Sequence, residues 1–432
     1  MLPEALSTDV CSLKQDVDRA AMACHLQIDA SGKMRSSRFT RAIVRLAGNI
    51  AYEDAQAAID GEIDHPLTKT ALKPLWDCWK LLAQARDDRE PLNLDLPEKR
   101  VVLDDKGKIA EIAIRERLDA HRLVEDFMIA ANVAAAKMLE SKKSPLIYRV
   151  HETPSREKMV ALKDYLKTFD ISFALGQVVL PRVFNQLISK IGEGETKPLV
   201  MEQILRSQTQ AYYSPANAGH FGLSLGSYGH FTSPIRRYAD LIVHRALVSA
   251  CKLEQPKPAN EDISSNTGLT EEMAGRLDLI SEKISQLERR AMMAERETVD
   301  RYISAHLSDR VGQILKCRIT GVQNFGFFAT VEELGGDGLV PVRTLGVERF
   351  DYDEAAQQLT GMDSGTTYNI GQKLELRLVE ANAATGSLLF ELAEGANHMP
   401  GRYQDRRPPR SGGKSHSKGK RGRPGNIRHR GR

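Results

Sequence analysis

The segment best suited to chemistry lies in the middle of the chain, where residues 230–244 read His-Phe-Thr-Ser-Pro-Ile-Arg-Arg-Tyr-Ala-Asp-Leu-Ile-Val-His. Serine followed by proline is a strong signal for the start of a helix, so we expect Ser233 at the N-cap and Pro234 at the first helical position. Arg236 and Arg237 would then lie in the first turn, where positive charges oppose the helix dipole. Two arginines at a capped helix start therefore predict a compensating anion.

That anion could be a bound phosphate or a carboxylate of the chain itself. A phosphate would be held by the free N–H groups of the turn and by the planar guanidinium of an arginine. Asp240 could instead pair with Arg236 at spacing i,i+4 or with Arg237 at spacing i,i+3. The residues alone leave both interpretations open, including one arginine for each role. Three nearby histidines are each predicted to be structural rather than metal ligands: His220, His230 and His244.

The elements that position this segment are predicted from periodicity and turn chemistry. A short strand at 221–225 precedes the arginines, and an apolar stripe over 122–139 predicts a core helix. Two strand-like runs at 101–103 and 109–114 flank an Asp-Lys-Gly turn and predict a hairpin. A long amphipathic helix is expected after Thr270, which suits an N-cap, with its apolar seam packed inside the same chain. This part of the chain therefore mixes helices with short strands.

The remainder of the chain changes character twice. From Val311 onward, short strand patterns separated by glycines predict a small closed barrel of the OB-fold type. Its strands are expected at 313–320, 326–332, 338–342, 373–379 and 387–391. After Glu394 the sequence is mainly Gly, Arg, Lys, Pro, Ser and His with almost nothing to bury, which predicts disorder. The fold class is thus α+β, followed by an all-β domain and a disordered basic tail.

Charge and composition narrow the class of protein. The chain has 432 residues and a formal charge of +4, but residues 401–432 hold 12 Lys or Arg and one acid, a net +11. The other 400 residues hold 49 basic and 56 acidic side chains, a net −7. So basic a tail favours contact with nucleic-acid phosphates, with a solubilising tail as the alternative.

No apolar stretch approaches the ~20 residues that a membrane span needs. The five cysteines are widely spaced and include no C-x-x-C pair, which fits a reducing compartment. We therefore expect a cytoplasmic monomer that does not associate with membranes.

The motif at 230–244 strongly resembles the signature of the RNB family of 3′→5′ exoribonucleases, which runs His-Phe-Thr-Ser-Pro-Ile-Arg-Arg-Tyr-x-Asp-Leu-x-x-His. Other blocks agree in the expected order, and the resemblance extends over nearly all of residues 1–393. These blocks are Leu2-Pro3-Glu4-x-Leu6-Ser7, Cys11-Ser12-Leu13, Ala51-Tyr52, Leu123-Val124-Glu125 through Asn132, Tyr148-Arg149-Val150-His151, and Tyr213 with Asn217-x-Gly219-His220.

The resemblance implies a division of the chain into three regions. Residues 1–310 would form the C-terminal part of an RNB-type catalytic domain, and residues 311–393 an S1-type OB-fold RNA-binding domain. Residues 394–432 would be the disordered basic tail. A tail of this kind favours the ribonuclease R branch of the family over the ribonuclease II branch.

The resemblance also implies an activity and roles for individual residues. Enzymes of this family thread the 3′ end of single-stranded RNA into a deep channel and use two Mg²⁺ ions to release nucleoside 5′-monophosphates. By position, Arg236 would stabilise charge on the scissile phosphate, while Tyr52 and Glu125 would recognise the terminal ribose. Arg237 and Glu295 would also lie along the RNA. Without the family, Tyr52 is a packing aromatic, Glu125 a solvated helix residue, and Glu295 an ion-pair partner of a neighbouring arginine.

Aromatic and basic residues in the barrel resemble the S1 pattern for RNA contact. Phe325, Phe327 and Phe328 are candidates for base stacking, which is worth roughly 1–3 kcal/mol per base and tolerates any sequence. Alternation along the strand requires at least one of these rings to face the core instead. Lys316 is expected to contact a phosphate, with an ordinary solvated lysine as the alternative.

One part of the family pattern is not found in these 432 residues. In the family, the metal-binding aspartates are spaced approximately as Asp-x-x-x-x-x-Asp-x-Asp-Asp and precede the Leu-Pro block, which here begins at Leu2. Two magnesium ions need several carboxylate oxygens, which these aspartates supply in the family. Because the aspartate pattern is not found here, we expect no metal ligands in this chain and no activity of the chain alone. The alternatives are a non-catalytic RNA-binding protein and a fragment that complements a separately encoded N-terminal polypeptide. The ribosome is a further candidate partner.

Overall fold

The structure, a computed structural model, describes residues 2–96, 99–114, 116–176, 178–194, 196–254, 267–332, 334–354 and 356–393. Residues 1–394 form one structural unit. The predicted disordered tail, residues 394–432, lies outside the described residues. Within the described ranges, no helix combines the length and the apolar character that crossing a bilayer requires.

A long β-hairpin lies at the start of the fold, formed by β1 (Asp18–Ile28) and β2 (Met34–Arg45). Among the described residues these two strands form a sheet of their own, so the outer edge of each strand is unpaired. One face packs on the core through the buried ring of Phe39. The turn requires Gly32, because its φ is +71° and a Cβ there would overlap the carbonyl oxygen of Leu81.

Two helices and a second hairpin lead to a long buried helix. The predicted helix over 122–139 and the predicted hairpin are both confirmed. The long helix is buried because Ala134, Ala135 and Leu139 are completely inaccessible in its C-terminal half. The elements are α1 (Tyr52–Asp60), α2 (Lys73–Arg89), β3 (Lys99–Leu103), β4 (Ile109–Ile114) and α3 (Asp119–Ser141).

Three shorter helices follow and share a separate apolar core. Leu166, Phe184 and Ile204 are completely buried within it. Two short strands enclose the three helices in sequence and pair antiparallel with each other. The elements are β5 (Tyr148–Val150), α4 (Arg156–Lys167), α5 (Pro181–Ile191), α6 (Thr196–Ser207) and β6 (Tyr212–Ser214).

The arginine motif differs from its prediction at both ends. No strand forms at 221–225: His220 and Leu225 exchange backbone hydrogen bonds of 2.7 and 3.2 Å, which close a tight loop around one helical turn. The following helix, α7 (Tyr238–Ala250), begins after the arginines rather than before them. Ser233 is therefore not its N-cap, although the Ser233 carbonyl accepts hydrogen bonds from the next two arginine N–H groups.

The long helix predicted after Thr270 is present but interrupted. Thr270 caps α8 (Glu271–Ala274) by accepting from the N–H of Met273, and α9 (Leu277–Leu307) starts after a break. Leu277 is buried at the start of α9, whereas Leu287 is 46% exposed. The prediction of a seam packed within the chain holds for the first turns of α9 and is wrong between Leu287 and Ala294, which are exposed.

The C-terminal strands close a five-stranded barrel, as predicted. The strands of this region are β7 (Ile314–Gln323), β8 (Gly326–Val331), β9 (Asp337–Pro341), β10 (Phe350–Asp353), β11 (Gln358–Gly361), β12 (Thr367–Asn369), β13 (Lys373–Asn382) and β14 (Ser387–Leu392). The strand order of the barrel is β13-β14-β9-β8-β7, and a three-stranded sheet that was not predicted, β10-β11-β12, is inserted between β9 and β13.

The barrel shares its core with the part of the chain that precedes it. Ile303 and Leu307 from the end of α9 belong to the same buried cluster as the barrel interior. Tyr165 of α4 and Ile109 of β4 also belong to that cluster. The barrel is therefore packed against the remainder of the fold rather than tethered to it.

Candidate functional site

The turn that carries the two arginines is held by one buried carboxylate. Asp240 is completely inaccessible and binds Arg237 through two hydrogen bonds, 2.8 Å to Nε and 2.9 Å to Nη2. The backbone N–H of Ser233 donates to Asp240 Oδ1 at 2.6 Å. Both carboxylate oxygens thus accept hydrogen bonds from the turn. The Arg237–Asp240 contact is the i,i+3 ion pair, one of the alternatives that the sequence left open.

Arg236 occupies the outer side of the same turn. Its side chain is exposed, and no ion pair involves it among the described residues. Because the Arg237–Asp240 clamp fixes the neighbouring backbone, Arg236 is presented outward on a rigid support. The two arginines therefore divide as the sequence allowed, with one held for structure and one open to an anion.

A cavity of about 330 Å³ lies on the inner side of the turn and brings together three predicted site residues, Tyr52, Glu125 and Arg237. They come from α1, α3 and the arginine turn. His121, Asn132 and Tyr228 complete its polar lining. A cavity of this size with a few converging polar groups is typical of a small-molecule or single-nucleotide site.

The position of Tyr52 follows from contacts between the starts of α1 and α3. Its ring stacks on His121, with the ring centroids 4.2 Å apart and the planes at 23°. Gln56 Oε1 accepts from the N–H of Ala120 at 3.0 Å and ties the same two helix starts together. Glu125 lies one helical turn after His121, where its carboxylate accepts from Arg117 at 2.6 Å.

Asn132 joins the cavity to the arginine turn. Its amide nitrogen donates to the hydroxyl of Tyr228 at 3.0 Å, and its oxygen accepts from the N–H of Phe231 at 2.8 Å. Both ends of this buried amide are therefore used to fix the chain that leads into the arginines. Sequence reasoning did not single out Asn132, although a lone amide within the apolar stripe of α3 was the available signal.

A second buried carboxylate supports the cavity from behind. Asp126 accepts from Trp79 Nε1 at 2.8 Å and from Arg86 Nη1 at 2.7 Å, which holds α2 against α3. Burial raises the pKa of Asp126, although Trp79 and Arg86 act in the opposite direction. This support was not predicted, because its members lie far apart in sequence.

A larger cavity of about 1180 Å³ lies on the outer side of the arginine turn. Its lining is mainly apolar and includes Leu2, Ile43 and Ile235, with Arg41 and Arg236 among the lining residues. The N–H of Leu2 donates to the carbonyl of Ile235 at 2.9 Å. Ile43, on β2 opposite Ala20 of β1, is 77% exposed. We call this cavity the arginine groove.

The family resemblance implies magnesium, but the described residues do not fit a magnesium site. Among them, no group of three or more His, Cys, Asp or Glu side chains is placed to hold a metal ion. Asp240, the carboxylate nearest in sequence to Arg236, already has both oxygens engaged. A two-metal centre needs several free carboxylate oxygens, and the described residues bring no such group together.

The structure places Glu295 away from the Tyr52 cavity. Glu295 lines a separate groove of about 370 Å³ between α9 and the β3–β4 hairpin, together with Val101, Leu103 and Tyr302. The groove is mainly apolar, and Glu295 supplies its carboxylate.

The barrel separates the three predicted phenylalanines. Phe325 is 50% exposed and Phe328 is 36% exposed, with their rings edge to face at 6.1 Å. Phe327 is completely buried and stacks on Tyr368 in the barrel core. The prediction that Phe327 contacts RNA is therefore wrong, because strand alternation turns its ring inward. Lys316 is exposed on β7, the strand that pairs with β8.

Partly buried histidines surround the arginine motif. Burial lowers the pKa of His230 to about 2 and that of His220 to about 3. Burial also lowers the pKa of His151 and His244. Their ring nitrogens bond within the protein: His230 Nδ1 lies 2.9 Å from the Tyr213 hydroxyl. These contacts confirm the prediction that the histidines of the motif are structural.

This cluster predicts a loss of stability in acid. In the unfolded chain a histidine binds a proton below pH ~6.5, whereas His230 stays neutral in the folded protein, so stability falls as pH drops from about 6.5 towards 4. Each such histidine contributes up to about 1.4 kcal/mol per pH unit within that window. We expect His230→Asn to make the free energy of unfolding depend less steeply on pH, as measured by urea unfolding at pH 7 and pH 5. The exposed His25→Asn is the control, and an equal slope in both variants would contradict the expectation.

Models of two known domain families match most of the chain. A family model described as RNB domain matches residues 1–252, and one described as S1 RNA binding domain matches residues 308–392. Ribonuclease R of Vibrio cholerae is 34% identical over 405 residues, covering 93% of this chain and 49% of that protein. Ribonuclease R of Escherichia coli is 33% identical over 397 residues, covering 91% and 48%. The chain therefore spans about half the length of these curated relatives.

Solved structures show the same fold. Mycoplasma genitalium RNase R matches with a TM-score of 0.83 in its apo form and 0.82 in complex with ribose methylated single-stranded RNA. Each match is 24% identical and covers 90% of this chain and 60% of that chain. Because the RNB model matches more than half of the 432 residues, the chain belongs to the RNB family and carries an S1 domain after its RNB region.

Proposed function

We propose that the chain forms the RNA-binding and catalytic-arginine portion of a ribonuclease R-type enzyme, which hydrolyses single-stranded RNA from the 3′ end to nucleoside 5′-monophosphates in the cytoplasm. One observation carries this proposal. Tyr52, Glu125 and Arg237 line a single cavity directly behind the turn that presents Arg236. The relatives named ribonuclease R support the same activity.

The cavity has the groups that a terminal ribonucleotide needs. The Glu125 carboxylate can accept from a ribose 2′-hydroxyl, which is the group that distinguishes RNA from DNA. The exposed fraction of the Tyr52 side chain is 40%, so one part of it is open to the sugar. The Arg236 guanidinium can take a phosphate through two parallel hydrogen bonds and stabilise the charge that develops there. Arg237 keeps Nη1 for the RNA while its other nitrogens hold Asp240.

The barrel is proposed to hold RNA outside the cavity. Phe325 and Phe328 present exposed rings for base stacking, and Lys316 offers a charge for the backbone. Glu295 would face the RNA from its own groove. Contacts of this kind tolerate any base, as a processive nuclease requires.

The magnesium ions of the reaction are proposed to be held by carboxylates that lie outside the described residues, on a segment docked in the arginine groove. An unpaired strand edge accepts an added strand through backbone hydrogen bonds. The groove offers apolar surface to such a strand through Leu2, Ile43 and Ile235. Among the described residues, no ion pair involves Arg41, so the groove suits an occupant with apolar side chains and an acidic side chain near Arg41, while Arg236 is left for the RNA phosphate.

Apart from the phosphate that Arg236 would bind, nucleic acid is the less suitable occupant of this groove. The aromatic ring in its lining, Phe231, is only 5% exposed and cannot serve as a stacking platform. Apolar aliphatic surface of the kind found here is typical of contacts between polypeptides. A non-catalytic RNA-binding protein is the alternative function, and it would use the Tyr52 cavity and the barrel without this docking.

Binding measurements test whether the Tyr52 cavity reads ribose. We expect the chain to bind a single-stranded oligoribonucleotide more tightly than the same oligomer with a 2′-deoxyribose at its 3′ terminus. Glu125→Gln is expected to reduce that ratio of affinities about fivefold or more, since a bond to a charged acceptor is lost. Fluorescence anisotropy measures both affinities, and Asp119→Asn, an exposed carboxylate at the start of α3, is the control. A ratio unchanged in Glu125→Gln would reject the ribose-binding role.

A further inference from the structure

We propose that His121 is a positioning residue for ribose selectivity, because it fixes the plane of the Tyr52 ring at the mouth of the cavity. This inference rests on the proposed function of the Tyr52 cavity. The imidazole of His121 and the ring of Tyr52 are stacked with centroids 4.2 Å apart. His121 also lines the cavity itself, beside Glu125.

His121 is itself held in one orientation. The backbone N–H of Leu118, at the start of α3, donates to His121 Nδ1 at 3.2 Å. An imidazole whose Nδ1 accepts a hydrogen bond carries its proton on Nε2, so the bond selects one neutral tautomer. The ring therefore belongs to the first turn of a helix that is anchored in the core by the completely buried Ala134, Ala135 and Leu139.

Tyr52 needs such a support, because its own helix does not provide one. Tyr52 is the first residue of α1, and the N-cap residue Ala51 makes no side-chain capping bond. The start of a helix frays most readily where it is uncapped. Gln56 holds the next turn of α1 to Ala120, but the stack on His121 is the contact that sets the ring plane of Tyr52.

The spacing on α3 couples this support to the other ribose contact. His121 and Glu125 are separated by four residues, so their side chains lie on the same face of the helix, one turn apart. The same two turns of α3 thus position both groups. The Tyr52 ring is placed by its stack on His121, and the Glu125 carboxylate by its own place on the helix. A change at His121 should alter where the hydroxyl of Tyr52 lies relative to Glu125, and so alter discrimination more than general affinity.

The test compares two affinities in each variant of the full 432-residue chain. The probes are a fluorescein-labelled single-stranded oligoribonucleotide and the same oligomer with a 2′-deoxyribose at its 3′ terminus. We expect His121→Ala to lower the ratio of the two affinities about fivefold, as for the loss of one well-placed hydrogen bond. His121→Phe keeps an aromatic ring under Tyr52 and should retain most of the ratio. Arg122→Ala, at the neighbouring half-buried position whose side chain pairs with Asp119, should leave the ratio unchanged.

The outcomes separate this inference from the function on which it rests. If Glu125→Gln abolishes the preference while His121→Ala preserves it, the role of His121 is wrong and the cavity function stands. If neither variant changes the ratio, the cavity does not read ribose and both proposals fail. An equal loss of affinity for both probes in His121→Ala would assign His121 a purely structural role. Should His121→Ala fail to fold, His121→Leu replaces it in the test, because leucine fills a similar space without a ring. The same ratio of affinities then decides the outcome.

Discussion

Replacement of Asp240 by alanine is expected to lower the free energy of unfolding by about 3–5 kcal/mol, because it leaves Arg237 as a largely buried charge without its partner. Asp240 is completely inaccessible, and the Arg237 side chain is 19% exposed. The variant also removes the acceptor for the Ser233 N–H, so the turn that presents Arg236 loses its internal support. Urea unfolding at pH 7 measures the effect.

A second pair in the same chain supplies the control. Asp164 pairs with Lys167 at the same i,i+3 spacing and a similar distance, 2.7 Å, but its side chain is 34% exposed and that of Lys167 is 62% exposed. Solvent screening limits such a pair to about 0–1 kcal/mol, so Asp164→Ala should cost far less than Asp240→Ala. The double variant Arg237→Met/Asp240→Ala removes the unpaired charge and should recover part of the loss. Equal costs for the two aspartates would contradict the buried clamp.

Elements with a strong local signal were predicted from the sequence. The helix over 122–139 carries its own apolar periodicity, and the hairpin at β3–β4 carries its own turn residues, so neither depends on distant contacts. The barrel strands follow the same rule, because alternation and glycine punctuation mark each of them. Phe327 shows the limit of that approach. Alternation required one of three rings to be buried, and only the folded barrel identified which one.

The arginine turn shows why the remainder could not be predicted locally. Ser-Pro is a helix-start signal, yet Ser233 donates its N–H to Asp240 and the helix begins five residues later at Tyr238. A buried acceptor outweighed the local preference, because an unsatisfied buried carboxylate costs more than a shifted helix start.

The candidate site was located through the family resemblance rather than through residue types. Tyr52 and Glu125 are separated by 73 residues, and nothing in either local sequence marks them as neighbours. His121, Asn132 and Asp126 act on the site through contacts with distant residues, so they had no signal beyond being polar in a mainly apolar helix. Helix α3 is what unites them, since every one of these side chains except Tyr52 projects from it.

Incubated alone with Mg²⁺ and labelled single-stranded RNA, the 432-residue chain is expected to release no nucleoside monophosphate. The described residues hold no cluster of carboxylates that could bind the metal ions, while Arg236 is in place for the phosphate. The probe for complementation is the part of Vibrio cholerae ribonuclease R that precedes the region matched by this chain, expressed as a separate polypeptide. Mixing the two should produce mononucleotides. Arg236→Ala should slow that release about 100- to 1,000-fold, the usual cost of one charge-stabilising donor.

Docking and catalysis can be separated in the same experiment. Ile43 is 77% exposed in the arginine groove, so Ile43→Glu should weaken complementation without affecting the fold. Val347, 88% exposed in the barrel region, provides the matched control as Val347→Glu. Arg41→Glu should likewise weaken complementation by repelling an acidic occupant. Arg38→Glu is its control, because Arg38 lies on the same strand, β2, but outside the groove lining. Mononucleotide release by the chain alone would reject the complementation proposal. If Ile43→Glu and Val347→Glu weaken complementation equally, the docking surface lies elsewhere.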